Sequence, residues 1–432
     1  MAYEAIVTKI ITRPLPGADK LLIGSVGAYQ VVVGIDTKDG ELGVFFETGG
    51  QLSEDFCSKN DLIRRKVLVD GKEIPAGGMF EPNRRVKSIK LRGACSDGFW
   101  CPLSYFTSYG VELTEGTQFS ELCGVEICRK YMTAATLAER GKKKTHQREN
   151  KMFRKHVETG HFKKESGTIP LGSLITITEK LHGTSQRYGC VVDSIPTVSN
   201  SWIKWFYELF GWPTTKEVWA DLIGTRNVIL SDPGQIGYHG SEEYRYNAVK
   251  GIVPRLGEIL YGEVVGYTTN GNPIMEPQDT GKLKDKSIKE MFGDSVVYDY
   301  GLEKGTCKFY VYRITQTDDD GYVTELSWYQ VKKRCRELGI DHVPELDTLL
   351  YDDNFIEMDV WEIPDYVDHY TETSDGSPLT SVLSPTTLRE GVVVRIDNEH
   401  GTTWMKNKGF TFGVLEGYLK ESDEYVDAEE VS

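Results

Sequence analysis

The sequence predicts a mixed α+β protein, with a small β-barrel at the N-terminus followed by a larger domain of antiparallel sheets and flanking helices. Three observations predict it. Short apolar runs with strand-like alternation recur along the chain, Gly, Pro and Asp turn signals cut those of the first third at close spacing, and helical periodicity is confined to a few later segments. With 432 residues, 39% hydrophobic and 27% charged, the chain suffices for two or three domains with real cores.

Residues 1–128 carry "QVVVGI" (30–35), "LGVFFE" (42–47), "RKVLVD" (65–70) and "RVKSIKLRG" (85–93), separated by signals such as "PLPGAD" and "VDGKE". Strands this short, turning this often, suggest the barrel. Residues 129–168 read as a basic linker. Arg129 to Lys164 holds twelve Lys/Arg against three Glu, a local +9 in a chain of net charge −15. That net charge excludes a protein that coats nucleic acid with its whole surface; the linker offers a polyanion a local dock, or is a solvated connection.

Residues 169–418 supply the strand-like "SLITITEK", "QRYGCVVD", "EILYGEVVG", "KFYVYRIT", "GVVVRID" and "TTWMKN", with helix-like "SWIKWFYELF" and "YQVKKRCRELG". Mixed α+β follows. Trp202, Trp205, Phe206, Leu209 and Phe210 keep helical spacing, so 199–222 is expected to pack an amphipathic helix over this domain or to offer a stacking surface for unpaired bases. Residues 371–387 are loop-like and 419–432 form an acidic, frayed tail. Eight cysteines without a C-x-x-C pair indicate free thiols rather than zinc or disulfides. No run approaches the ~18–20 apolar residues of a membrane helix, and "MAYEAIVTKI" is unlike a secretory leader, so a cytoplasmic protein without membrane partners is expected.

The chemistry concentrates at "EKLHGTS" (179–185), where Lys180 ends a strand-like run just before Gly183. A lysine amine is a nucleophile only when deprotonated, which requires a pocket that depresses its pKa. Gly183 permits close backbone approach to a ligand phosphate, and Thr184 and Ser185 add hydroxyl donors. Downstream, in order, stand "TRN" (225–227), "LYGEVVG" (260–266), "KFYVYRI" (308–314), "REGVVVR" (389–395) and "WMKNK" (404–408). This ordered set resembles the nucleotidyltransferase motifs of ATP-dependent RNA ligases, whose catalytic domain is of the ATP-grasp-like ligase type.

The resemblance implies ATP as cofactor, AMP carried covalently on Lys180, and Mg²⁺ or Mn²⁺. It implies Glu263 and Glu390 as metal ligands, with Glu263 equally a ligand of the ribose hydroxyls. Carboxylates suit Mg²⁺, which prefers oxygen and retains waters. Lys406 and Lys408 alternate on a strand and so point one way, as two cations gripping the α-phosphate would. Arg226 would clamp phosphate. Phe309 is selected to stack on adenine, against the alternative that it is core, and Glu179 to read the adenine amino edge. His182, counted with the nucleotide-binding residues, is familiar at this position in the nick-sealing branch of RNA ligases. Arg313 replaces the acidic residue usual there, which puts a metal role at that position in doubt.

Only 24 residues follow Lys408, too few for a C-terminal barrel. "PLPGADKLLIGSVGAYQVVVG" and "RRVKSIKLRGACSDGFWCPL" look instead like the N-terminal OB-type domain of ligases that seal nicks bearing a 3′-OH RNA end. The reaction implied joins RNA, or RNA with DNA, having 3′-OH and 5′-phosphate ends, by a monomer. Arg154, Lys155, Lys163 and Lys164 of the linker are candidates to orient the leaving pyrophosphate. The alternatives are a DNA ligase or other nucleotidyltransferase, and a non-catalytic RNA-binding protein with a ligase-like fold.

Overall fold

The protein is described here by a computed structural model covering residues 3–69, 72–91, 94–132, 148–198, 201–237, 240–283, 286–318, 320–353, 355, 363–373, 377–399, 401–416 and 419–420. The chain divides into two compact units, the first of Met1–Lys143, Lys282–Lys286 and Gly413–Ser432, the second of Lys144–Gly281 and Ser287–Phe412. Among the described residues no helix is long and apolar enough to cross a membrane, and all eight cysteines are free thiols. Residues 421–432 of the expected tail lie outside the described residues.

The principal elements of the first unit are β1 (Ala5–Lys9), β2 (Ile11–Pro14), β3 (Leu21–Val26), β4 (Tyr29–Gly34), β5 (Leu42–Glu47), α1 (Glu54–Lys59), β6 (Gly98–Pro102) and β7 (Gln118–Phe119). The expected barrel is not found. The described strands form open sheets, the largest in the order β6-β5-β1-β7 and another in the order β2-β3-β4. The reason lies in β5, whose "GVFF" is buried on both faces. Phe46 on one face packs with Phe56 of α1 and with Phe106, while Phe45 and Trp100 on the other pack with Ile10, Val26, Val31 and Val33. A strand so covered lies between two packed apolar layers.

In the second unit, β8 (Gly160–His161), β9 (Ser173–Lys180), β10 (Thr184–Pro196), α2 (Ser201–Leu209), β11 (Thr215–Thr225), α3 (Glu243–Ala248), β12 (Glu258–Gly266), β13 (Cys307–Thr317), β14 (Val323–Glu325), α4 (Trp328–Leu338), β15 (Glu345–Tyr351), β16 (Gly391–Asn398) and β17 (Gly401–Lys408) build two sheets. The first runs β8-β17-β16-β9-β15, the second β11-β10-β12-β13-β14 with Asp341–His342 added parallel to β13. Ile175, Ile177, Val392, Val394 and Met405 fill the core of the first, Val191, Leu222, Ile259 and Tyr261 that of the second. The chain steps from one sheet to the other through Leu181–Gly183. α4 starts at a capping box, Ser327 with Gln330, and stops at the left-handed Gly339.

Residues 148–168 of the expected linker are packed on this unit; residues 133–147 lie outside the described ones. Asn150 accepts from the Met152 and Phe153 amides (2.8 and 3.1 Å), turning the chain so that Phe153 enters the second core, and Phe162 enters the first.

The helix expected over 201–210 forms, but not as a packed one. β10 pairs with β12 only over Thr184–Gly189, so the outer halves of β10 and β11 continue as a two-stranded ribbon that leads into α2. There Trp202 is 77% and Trp212 57% exposed. Exposure therefore separates these rings from the buried ones. Phe162→Ala is expected to cost about 3–5 kcal/mol of unfolding free energy and Trp205→Ala about 0.5 or less, read by denaturant melts; a Trp205→Ala loss matching that of Phe162→Ala would show α2 to be packed.

Candidate active site

Antiparallel register brings the predicted residues together. In the first sheet Lys180 lies opposite Gly391, Gly391 opposite Lys408, and Val393 opposite Lys406. In the second, Ser185 lies opposite Glu263, and Gln186 opposite Thr225, which precedes Arg226. Seven of the ten predicted site residues, namely Glu179, Lys180, Gly183, Arg226, Glu263, Lys406 and Lys408, line one cavity of about 500 Å³ between these strands.

Glu390 lies beneath that lining, 1% exposed, and holds it. Its Oε1 is 2.8 Å from Lys180 Nζ and 2.8 Å from Lys408 Nζ, and its Oε2 is 3.3 Å from His182 Nδ1. His182 is thus a support of Glu390 rather than part of the cavity lining. Its amide donates to the Tyr300 hydroxyl (2.6 Å), and its ring packs edge-on to Tyr298 and Phe412. Two glycines permit this closeness. A Cβ on Gly391 would stand 2.2 Å from Asn407 O, and one on Gly183 2.5 Å from Val264 O. The need for glycine at 183 is therefore the crossing of the chain over β12, where the sequence suggested approach to phosphate.

Phe309 is not at the cavity. It is 3% exposed with its ring over Gly262, whose Cβ would lie 2.4 Å from Phe309 Cε2. Residue 312 is the extra residue at a register shift of β13 against β12, where Tyr261 lies opposite Arg313 and Gly262 opposite Val311, and Tyr312 lines the cavity, its hydroxyl 3.2 Å from that of Ser185. Arg313 is clamped on Glu325 by three hydrogen bonds (2.7–3.1 Å) and stacks on Tyr261 and Trp404, so this departure from the acidic pattern is structural. Of the candidates for pyrophosphate, Arg154 donates to Gly321 O and Lys163 lies 3.7 Å from Asp368, and neither lines the cavity; nor do Lys155 and Lys164.

The RNA ligase family profile matches residues 173–408, more than half of the chain and every one of these strands. The chain belongs to the RNA ligase family. It has no match among curated proteins. Solved structures of the Naegleria gruberi RNA ligase share its fold. An alanine-for-aspartate variant without ligand is 15% identical at TM-score 0.54, covering 96% of this chain and 99% of that one. An alanine-for-lysine variant with ATP and Mn is 14% identical at 0.52, covering 93% and 96%, and the complex with PPi 15% identical at 0.52, covering 95% and 97%.

Sequence reasoning about this RNA ligase missed Arg245, which is 3% exposed. From α3 it donates to Ser185 O (3.0 Å) and Thr184 Oγ1 (2.6 Å) and pairs with Glu242, fixing the turn after Lys180. No spacing rule points from "EKLHGTS" to a residue sixty positions on. It also missed His156, Trp328 and Trp404, which line the cavity.

The electrostatics depart from expectation at the lysine itself. Burial pulls the Lys180 amine down, but the Glu390 and Glu263 carboxylates outweigh burial and hold its pKa above the ordinary lysine value, not below it. Lys406 does lie below its ordinary value, through burial and then Lys408, Lys180 and Arg226. Burial also pushes up Glu390, yet Lys180, Lys408 and His182 hold it well below the carboxylate range. Glu263 goes the other way, to about 7, through burial and the charge of Glu390, only partly offset by Lys180.

A carboxyl raised in the native state binds its proton more tightly there than in the unfolded chain, so the stability it contributes is lost as pH rises from the ordinary value near 4.5 through about 7. The melting temperature of the metal-free protein is expected to fall between pH 5.5 and 8 more steeply in wild type than in Glu263→Gln. Parallel curves would contradict the assignment.

Proposed function

We propose that this chain is an ATP-dependent RNA ligase that forms lysyl-AMP at Lys180, passes AMP to an RNA 5′-phosphate, and joins that end to a 3′-OH, acting at nicks in a duplex. The observation that carries the reading is Lys180 and Lys408 meeting on one oxygen of Glu390, in a cavity that also presents Lys406, Arg226 and Glu263. Lysine, two further cations, a guanidinium and two carboxylates suit displacement at an anionic phosphorus, where a protein chiefly positions groups and neutralises charge.

In the first step the Lys180 nitrogen attacks the α-phosphorus, a P–N bond forms, and the P–O bond to pyrophosphate breaks. Lys406, Lys408 and Arg226 face the charge that grows on the phosphate. The ammonium must first shed a proton, and Glu390 and Glu263 hold that proton on until the balance of charge in the cavity changes. In the second step an oxygen of the RNA 5′-phosphate displaces the lysine from AMP, and in the third the 3′-OH displaces AMP. Tyr312, rather than Phe309, offers its face to the adenine in the cavity that Val393 also lines. Glu179 Oε2 is held by the Val382 amide (3.0 Å), whereas buried Oε1 has no hydrogen-bond partner and suits the adenine amino group.

Glu263 and Glu390 also fit Mg²⁺ or Mn²⁺. Among the described residues no cluster of three metal-ligating side chains exists, and two buried carboxylates with opposed pKa shifts suit a hard cation that takes its other oxygens from water and phosphate. An ion held by them would neutralise phosphate charge and offset the carboxylate charge that raises the lysine pKa. The N-terminal unit, spanned by the structural match to the Naegleria enzyme, is assigned to holding the nucleic acid.

The protein incubated with α-labelled ATP and Mg²⁺ or Mn²⁺ is expected to acquire a covalent label that survives denaturation and alkali but is released by hot acid, as a P–N bond is, absent in Lys180→Ala and not formed from GTP. Lys408→Ala is expected to reduce labelling on the order of 10²-fold. Strand joining by Lys180→Ala would sink the mechanism.

A further inference from the structure

One wall of the cavity comes from outside the six motif elements. Phe153 and Phe162, nine positions apart, are plugged into the cores of different sheets. Between them the chain crosses from one sheet to the other. At the near end Arg187 Nη1 donates to Phe153 O (2.6 Å), its guanidinium stacks on the Phe153 ring, and the Tyr261 hydroxyl donates to Arg154 O (3.0 Å). At the far end β8 adds to the edge of β17, Gly160 opposite Met405 and His161 opposite Lys406. A Cβ on Gly160 would stand 2.2 Å from Glu165 Oε2, so the Glu165 carboxylate packs directly over the backbone there. This strap, 153–161, presents His156 and Thr159 to the cavity.

The chemistry of His156 is fixed by its neighbours. Its Nδ1 is 3.3 Å from Arg313 Nη1, and a guanidinium can only donate, so Nδ1 accepts and the proton of the ring sits on Nε2. Burial first, then the charges of Arg313 and Arg226, push the imidazole pKa down to about 3, which keeps the ring neutral. The ring is in edge-to-face contact with Tyr312 and Trp404, centroids 5.0 and 6.0 Å apart, both of which line the cavity. Nε2 has only a long contact, 3.5 Å, to Thr159 Oγ1, which leaves a neutral N–H donor at a wall otherwise supplied with aromatic faces and cations.

We infer that His156 is a positioning residue of the nucleotide pocket, donating from Nε2 to an acceptor at the nucleoside end of the bound nucleotide beside Tyr312. The inference rests on the proposed nucleotide-binding role of the cavity. It assigns to the strap a task beyond linking domains: Arg313, fixed by Glu325, orients the ring, and the two phenylalanine anchors fix the backbone that carries it.

Equilibrium binding of AMP, followed by calorimetry on the full chain, tests this without requiring any turnover. His156→Ala and His156→Phe are expected to weaken AMP binding by about 3–10-fold, the worth of one neutral hydrogen bond, while His156→Gln, which keeps an N–H donor, stays within about twofold of wild type. Phe preserves ring volume and so separates donation from packing. AMP affinity in His156→Phe equal to wild type, or in His156→Gln as weak as in His156→Ala, overturns the inference. Absence of the ATP-derived label from wild type would remove the proposed reaction instead, and the AMP constants would still decide the role of His156.

Discussion

The carboxylate of Glu390 is the constraint on which the site depends. A buried anion is tolerated only when paired, and this one is: its Oε1 meets two lysines from different strands, and its Oε2 lies 3.3 Å from the ring of His182 in the turn between sheets. Removing any one partner would leave charge uncompensated in an apolar setting, so the four side chains define one another's positions. The same carboxylate, with that of Glu263, holds the Lys180 amine above its ordinary pKa despite burial.

That network is assembled by backbone register. Lys180, Gly391 and Lys408 stand side by side across three strands, and the missing side chain at 391 lets the outer two carry their amines to a single oxygen. Opposite them, β10, β11, β12 and β13 deliver Ser185, Glu263 and Tyr312 directly and Arg226 just beyond the last residue of β11. Rigid antiparallel ladders thereby do the work that catalytic loops do elsewhere.

Much of this was legible in the sequence, because strands announce themselves by alternation and side chains that share a cavity must fall on one face. "SLITITEK" and "EILYGEVVG" are strands over the residues quoted, and the Lys406/Lys408 alternation puts both amines in the cavity. What failed has a common cause. Phe309 and Tyr312 are both aromatic and both β, and only the pairing partner, with its glycine at 262, decides which ring is packed and which is displayed. The barrel failed for the same reason, since alternation identifies strands but not their neighbours. The depressed lysine pKa failed because the carboxylates that oppose it lie 83 and 210 residues away along the chain. Arg245 and His156 carry no local pattern at all.

The strap also bears on where an autonomous folding unit begins. The family match starts at 173, and the sequence draws the domain boundary at 169. A polypeptide severed at 169 would nevertheless lack both phenyl plugs, leaving a ring-sized void in each hydrophobic interior, and would bare the backbone of β17 along Met405 and Lys406, an unprotected sheet margin of the sort that recruits stray strands. Evolution of this enzyme could therefore exchange what precedes residue 148 far more freely than the twenty residues that follow it.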